Sequence, residues 1–368
     1  MENSSFPLDV LDSSKVPPVA TPSTSLQKGL RFLHILSVAV FIVAFLLGTA
    51  GNGLVIWVSG FRMPRSVNGI WYLHLAVADF TFCLFLPLSV AYVALGFHWP
   101  FGRLLCKLYN SLSVLNLFAS VFLLTLISAD RCICVLRPIW ARNHRTWARA
   151  NLVALVAWLL ALALSSPYVV FRDIAVSSGT GKTDCVINYD PWNETRGDPG
   201  RRPAVEGPRF SAVVLTRFVL GFVVPLVVIG GCHGLLASRI WRQRLARSNR
   251  PFRVLGAVVA AFFLCWFPFH LVSLMSLVSI LGRRSDLNSF MSVLWPLAFC
   301  LTCVNSCLNP VLYVFLGRDF RERLLHSLPA ALERALAEES GSASALAKNT
   351  LPSVPADGEI QELRGALT

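Results

Sequence analysis

Seven runs of apolar residues, near 32–58, 67–95, 104–136, 148–170, 209–238, 252–281 and 288–315, are separated by polar stretches, the longest between the fourth and fifth. A bilayer's hydrocarbon core is about 30 Å thick, and a helix crosses it in roughly 20 residues. With no water at that depth, each run must satisfy its own backbone polar groups, which a helix does. Strands of a membrane barrel would alternate apolar and polar residues over about 10 positions. These runs neither alternate nor stop so soon. The composition agrees, with 55% hydrophobic and 14% charged residues. The expected fold class is an all-α membrane protein, a seven-transmembrane helix bundle with a short amphipathic eighth helix. The domains read as an extracellular tail over 1–30, the bundle over 31–316, the eighth helix over 317–328 and a disordered cytoplasmic tail over 329–368. The first 25 residues are polar and rich in Pro and Ser, so the first span is expected to act as its own insertion signal.

Arginine in short loops marks the cytoplasmic side. The loop after span one carries Arg62 and Arg65, that after span three Arg137, Arg142, Arg145 and Arg149, and that after span five Arg239, Arg242, Arg244, Arg247 and Arg250. The N-terminus is therefore expected outside a plasma membrane, on the same side as the glycosylation sequons at Asn3 and Asn193. The net charge of +13 then reflects cytoplasmic arginine facing anionic membrane lipids, and nucleic acid is not an expected partner. Most of the ten cysteines lie inside spans. Cys106, at the outer end of span three, and Cys185, in the outer loop before span five, both fall in oxidising space, and a bridge between them is expected.

Polar residues at membrane depth are costly and read as functional. Asp79 in span two has Asn116 and Ser120 in span three, Asn305, Ser306 and Asn309 in span seven, and Asn52 in span one as candidate partners. The set suits Na⁺, a hard cation, as an allosteric ion; it also suits hydrogen bonds that merely join helices. No other cofactor is expected. Prolines 87, 167, 225, 268 and 310 invite kinks, and Trp266 beside Pro268 reads as a hinge under a cavity or as packing. There is no Gly-rich phosphate loop, no Cys/His metal cluster and no nucleophile with a base, so the chain is not read as an enzyme.

GNGLVIW around Asn52, LAVAD at Asp79, DRC at Asp130, Trp158 in span four, CWFP and NPVLY follow one another in an order and spacing that resembles rhodopsin-like G-protein-coupled receptors over about 30–328. WPFGRLLCKL, DRCICVLRPIWARNHRT and NSCLNPVLYVFLGRDFRERLLHSLPAALERAL are similar to leukocyte chemoattractant receptors, formyl peptide receptors above all, and also the chemerin receptor and the chemoattractant-type prostaglandin D2 receptor. The resemblance implies a receptor for an extracellular chemoattractant or inflammatory mediator. It would couple to a heterotrimeric G protein of the inhibitory class. Arg131 would pair with Asp130 at rest and be freed toward the G protein, while Trp266, Asn309, Pro310 and Tyr313 take part in the switch. A bare Asp130-Arg131 pair that only sets helix depth is the alternative. His233 stands where relatives commonly place a tyrosine in span five, which keeps a ligand-scavenging or weakly signalling receptor open. A transporter is the remote alternative, though no half-to-half repeat is visible.

Formyl peptide receptors resemble one another in an acid on span three and two arginines a turn apart on span five. At those positions this chain has Val114, Val213 and Arg217. The expected pocket, with Ser113, Asn116, Trp266, His270 and Phe299 as further members, is apolar around one buried cation. An unpaired guanidinium there favours an anionic group, from a peptide ligand or an oxidised lipid. Alternatively Arg217 snorkels, or pairs with Asp184 or Asp190. Arg172, Lys182, Arg196, Arg201, Arg202, Arg209, Arg283 and Arg284 are read as outer-surface charges, some of them solvated loop and some able to steer anionic ligands. In the tail, Phe320, Leu324, Leu325 and Leu328 form the apolar face of the eighth helix opposite Arg318, Arg321 and Arg323. Ser340, Ser342, Ser344, Thr350 and Ser353 are candidate phosphorylation sites for arrestin docking.

Overall fold

A computed structural model describes residues 24–62, 64–177, 179, 181–196, 198–242, 250–282 and 288–316. Asn3, the segment 317–328, Ser340, Ser342, Ser344, Thr350, Ser353, Arg283 and Arg284 lie outside the described residues, as does the side chain of Tyr313. Among the described residues seven helices are long and apolar enough to cross a membrane: Arg31–Arg62, Val67–Ala94, Gly102–Leu136, Trp147–Phe171, Arg202–Arg239, Leu255–Gly282 and Val293–Val311. They are spans one to seven. Span three packs against spans two, four and five, and span one against spans two and seven. Span three is also the most enclosed, with 61% of its apolar window buried against 22% for span one. Leu46, Leu47, Leu159, Leu160, Val227 and Leu264 are exposed. Their side chains form an outer face suited to lipid rather than to water.

Local chemistry explains where the helices depart from regularity. Span two breaks at Phe85, just ahead of Pro87, whose ring cannot donate the helical hydrogen bond. Span five changes to a π-helical turn over Val219–Val223 immediately before Pro225, an extra residue that accommodates the missing donor. Its helix begins at Arg202, seven residues ahead of the expected 209, because Pro203 sits in the first turn and Arg202 pairs with Glu206 at 2.8 Å, extending it above the apolar stretch. Gly48 lets span one approach spans two and seven closely: a Cβ there would lie 2.3 Å from Cys83 Sγ and 3.3 Å from Cys307 Sγ.

The outer loop between spans four and five forms a hairpin of β1 (Arg172–Val176) and β2 (Thr183–Ile187), antiparallel with Ile174 opposite Cys185. The expected Cys106–Cys185 disulfide is present, with Cα atoms 5.7 Å apart, and ties the hairpin to the top of span three. The hairpin itself was not anticipated. Its signal was RDIAV and TDCVI, short β-branched segments flanking a Ser/Gly/Thr turn.

Candidate functional site

Beneath the hairpin lies a cavity of about 1100 Å³, its open mouth included. Ser113 and Val114 of span three, Val213 and Arg217 of span five and Phe299 of span seven all line it. Asn116, Trp266 and His270, expected in the same wall, do not. Asn116 lies nearly a turn deeper than Ser113, and its amide donates to Ser306 Oγ at 3.1 Å. The Trp266 indole points to Asn305 Oδ1 at 3.4 Å. His270 is 1% exposed, among the rings of Phe218, Phe222, Trp266 and Phe269. Trp266 and His270 form a floor below the cavity, and Asn116 belongs to the polar lattice beneath it.

The walls also contain groups that sequence reasoning missed. Tyr92, Trp99, Tyr109 and Trp295 make the upper wall strongly aromatic. Arg172, read from sequence as a solvated surface charge, is 6% exposed and lines the cavity. It opens β1, paired with Ile187 in the hairpin, and the strand carries it inward. The cavity therefore has two cationic residues rather than one.

Arg217 is 8% exposed. One of its Nη atoms donates to the Tyr168 hydroxyl at 2.5 Å and the other to Ser273 Oγ at 2.8 Å, and the guanidinium lies 4.8 Å from the Phe269 ring centroid. Its Nε is buried without an acceptor, and among the described residues it forms no ion pair. Snorkelling to solvent is excluded by its burial. Asp190, a candidate partner, is engaged elsewhere: it accepts from the backbone of Glu194 and Thr195 and from the Thr195 hydroxyl, and lies 3.9 Å from Arg209. The Thr195 hydroxyl first, with the two backbone amides and Arg209 adding to it against the effect of burial, holds the Asp190 pKa below the usual carboxylate value. The same turn carries Asn193, which is exposed.

Below the floor is a polar lattice at mid-membrane depth. Asp79 is wholly buried and accepts from the Asn309 amide at 2.8 Å, with Ser306 and Asn116 also in hydrogen-bonding reach. Ser120 donates to Asn116 Oδ1 at 3.2 Å, and Asn52 donates to the Ser306 carbonyl at 2.8 Å. Asn52 Oδ1 is buried with no donor among the described residues. A carboxylate with amide and serine oxygens in the same lattice fits a hard monovalent cation, so the donor chemistry is compatible with Na⁺. Asn305 faces Trp266 instead of joining the carboxylate.

At the cytoplasmic end Asp130 takes a partner other than the expected Arg131. Asp130 does not hold Arg131: its two oxygens take Nε and Nη2 of Arg145, at 2.7 and 2.9 Å, and Nη2 also donates to Asn68 Oδ1 at 2.5 Å. Adjacent residues on a helix point about 100° apart, whereas Arg145 comes back over Asp130 from the turn between the short helix Pro138–His144 and span four. Burial opposes the charge on Arg145, but the hydrogen bonds and negative charge of Asp130 outweigh it and hold the guanidinium pKa above its ordinary value. His233 is partly buried, with Nδ1 2.9 Å from the Ile229 carbonyl and Nε2 lacking a partner among the described residues. Pro310 lies within the helix Asn288–Leu316, which also contains Tyr313.

Seven membrane-crossing helices around a cavity at one end, a polar lattice beneath it and an arginine-bearing helix end at the other define a seven-transmembrane receptor. Residues 51–313 match the 7 transmembrane receptor (rhodopsin family) pattern. The fMet-Leu-Phe receptor of Oryctolagus cuniculus is 44% identical over 366 residues, which is 98% of this chain and 99% of that protein. The fMet-Leu-Phe receptor of Homo sapiens is 45% identical over 360 residues, 98% of this chain and 99% of that protein. N-formyl peptide receptor 2 of Homo sapiens is 46% identical over 340 residues, 91% of this chain and 94% of that protein. The chain belongs to the rhodopsin family of G-protein-coupled receptors, in the formyl peptide receptor group. It is thus a multi-pass membrane receptor of a family whose partners are an extracellular ligand and a G protein.

Proposed function

We propose that this receptor reads an extracellular chemoattractant or inflammatory mediator that presents an acidic group to Arg217, and that it signals through inhibitory G proteins. The observation that carries the reading is Arg217 itself, buried in the cavity wall, hydrogen-bonded only to neutral oxygens and without an ion pair among the described residues. A charge so placed is stabilised by an anion that forms charge-assisted hydrogen bonds with it. The aromatic upper wall favours an apolar body on the ligand, a peptide or an oxidised lipid. The relatives are named for formylated peptides. Here Val114 and Val213 leave Arg217 without the acid and the second arginine that the resemblance associates with that ligand, which favours a different acid.

The N-terminus and hairpin lie outside the plasma membrane in this reading, supported by arginine-rich inner loops and by a disulfide that needs an oxidising compartment. Asn3 and Asn193 are then glycosylation sites. Asp79, Asn116, Ser120, Ser306 and Asn309 hold Na⁺ in the inactive state, while Trp266, Asn309, Pro310, Tyr313, His233 and Arg131 convey the change to the cytoplasmic face. Phosphorylation at Ser340, Ser342, Ser344, Thr350 and Ser353 recruits arrestin. A panel of formylated peptides, peptides with free C-terminal carboxylates and hydroxylated fatty acids, read by G-protein dissociation in cells, tests the reading. Activation by an acid but not by its amide supports it; ligand uptake with no dissociation across the panel sinks it in favour of a scavenging receptor.

A further inference from the structure

Asp130 and Arg131 are chain neighbours, and the carboxylate has two basic groups to choose between. In this structure both of its oxygens are taken by Arg145, and Asn68 of span two accepts from the same Nη2, so the clasp joins span three, the turn before span four and span two. The two side chains are 26% and 12% exposed, at the half-buried inner edge of the bundle. Among the described residues Arg131 forms no ion pair. The Cys134 thiol, one turn on, lies within electrostatic reach of Asp130, Arg145 and Arg131 alike, so both arginines share the neighbourhood of the carboxylate. A two-pronged guanidinium-carboxylate contact is directional and excludes a second arginine in the same plane.

We infer that Arg145 is a positioning residue that keeps Arg131 available to the G protein by occupying Asp130. The inference rests on the coupling role assigned to Arg131 above. Without Arg145, Asp130 is left to its chain neighbour Arg131, whose long side chain can bend back across the roughly 100° between them, and the receptor shifts toward the silent side of its equilibrium. This is the opposite of a restraint, in which breaking an ion pair raises activity. Asn68 acts with Arg145 by fixing its guanidinium plane.

The test uses the full-length receptor in membranes with an inhibitory heterotrimer, reading agonist-free nucleotide exchange per receptor at the surface. Arg145→Ala is expected to lower exchange about two- to fivefold, the range that a partly exposed ion pair supports. Asp130→Asn added to Arg145→Ala is expected to restore it, because the neutral side chain has no charge with which to hold Arg131. A merely structural role for Arg145 would not show that rescue. Unchanged or raised exchange in Arg145→Ala, or a fall that Asp130→Asn leaves in place, overturns the inference. Arg131→Ala separates the two layers: if it leaves exchange intact, the coupling role of Arg131 falls, whatever Arg145 does. A cycle of melting temperatures for the variants at positions 130 and 145 reads the clasp without any G protein, and additive effects there overturn it as well.

Discussion

Replacing Arg217 by alanine separates the energy of the ligand's acid from the energy of the fold. In the resting cavity Arg217 donates to Tyr168 and Ser273, both neutral, and Ser273 itself donates to the Phe269 carbonyl at 2.8 Å. Ser273 therefore stays satisfied when the arginine is lost, whereas the Tyr168 hydroxyl loses the hydrogen bond from Arg217. Leaving a buried hydroxyl unpaired costs about 1–3 kcal/mol, offset by no longer burying an unpaired guanidinium, and the melting temperature of the empty receptor reads that balance apart from the ligand. The ligand effect is distinct. A charge-assisted hydrogen bond contributes about 1.5–3 kcal/mol, so an acidic agonist loses roughly 10- to 150-fold in potency. Its amide, which brings no charge, is already weak and falls little further. Potency is measured as nucleotide exchange for acid and amide on wild type and Arg217→Ala, with melting temperatures recorded for each receptor. Equal loss for acid and amide, or no loss for the acid, would refute the assignment of Arg217 as the anion anchor.

Other changes probe packing, the lattice and the outer loop. Gly48→Ala puts a methyl 2.3 Å from Cys83 Sγ, an overpacking cost of about 1–3 kcal/mol; a lower melting temperature is expected, with Cys83→Ala restoring it. Asp79→Asn is expected to abolish the difference in agonist affinity between NaCl and choline chloride, while retention of that difference would remove Na⁺ from the lattice. Asp190 has a depressed pKa, so its support of the 188–196 loop is complete above the ordinary value of 3.8 and is lost as pH falls through the lower, folded value. Pepsin cleavage of that loop should therefore rise only at strongly acidic pH in wild type, whereas Asp190→Asn, which has no carboxylate to titrate, should be cleaved across the whole pH range in which pepsin acts.

The seven spans were legible because the bilayer demands long uninterrupted apolar runs, and composition alone exposes these. The disulfide was legible because Cys106, at the outer end of span three, and Cys185, in the outer loop before span five, are the two cysteines expected in oxidising space. Depth was less so. Asn116 and Ser113 are three residues apart on one helix, and only the packing of spans six and seven decides that the first faces the lattice while the second faces the cavity. Arg172 was misplaced because a charge in a loop reads as solvated until strand pairing fixes the direction of its side chain. The Asp130 partner was misassigned for a related reason. Neighbours in sequence diverge around a helix, and the residue that returns to the carboxylate is 15 positions away, across a turn whose path the sequence does not specify.

The most direct measurement is nucleotide exchange by purified receptor reconstituted in lipid with an inhibitory heterotrimer, using the acidic ligand that proves active and its amide. The account predicts acceleration by the acid alone, reduced in Arg217→Ala and absent in Arg131→Ala. Acceleration that survives in Arg131→Ala, or that the amide matches, would contradict it.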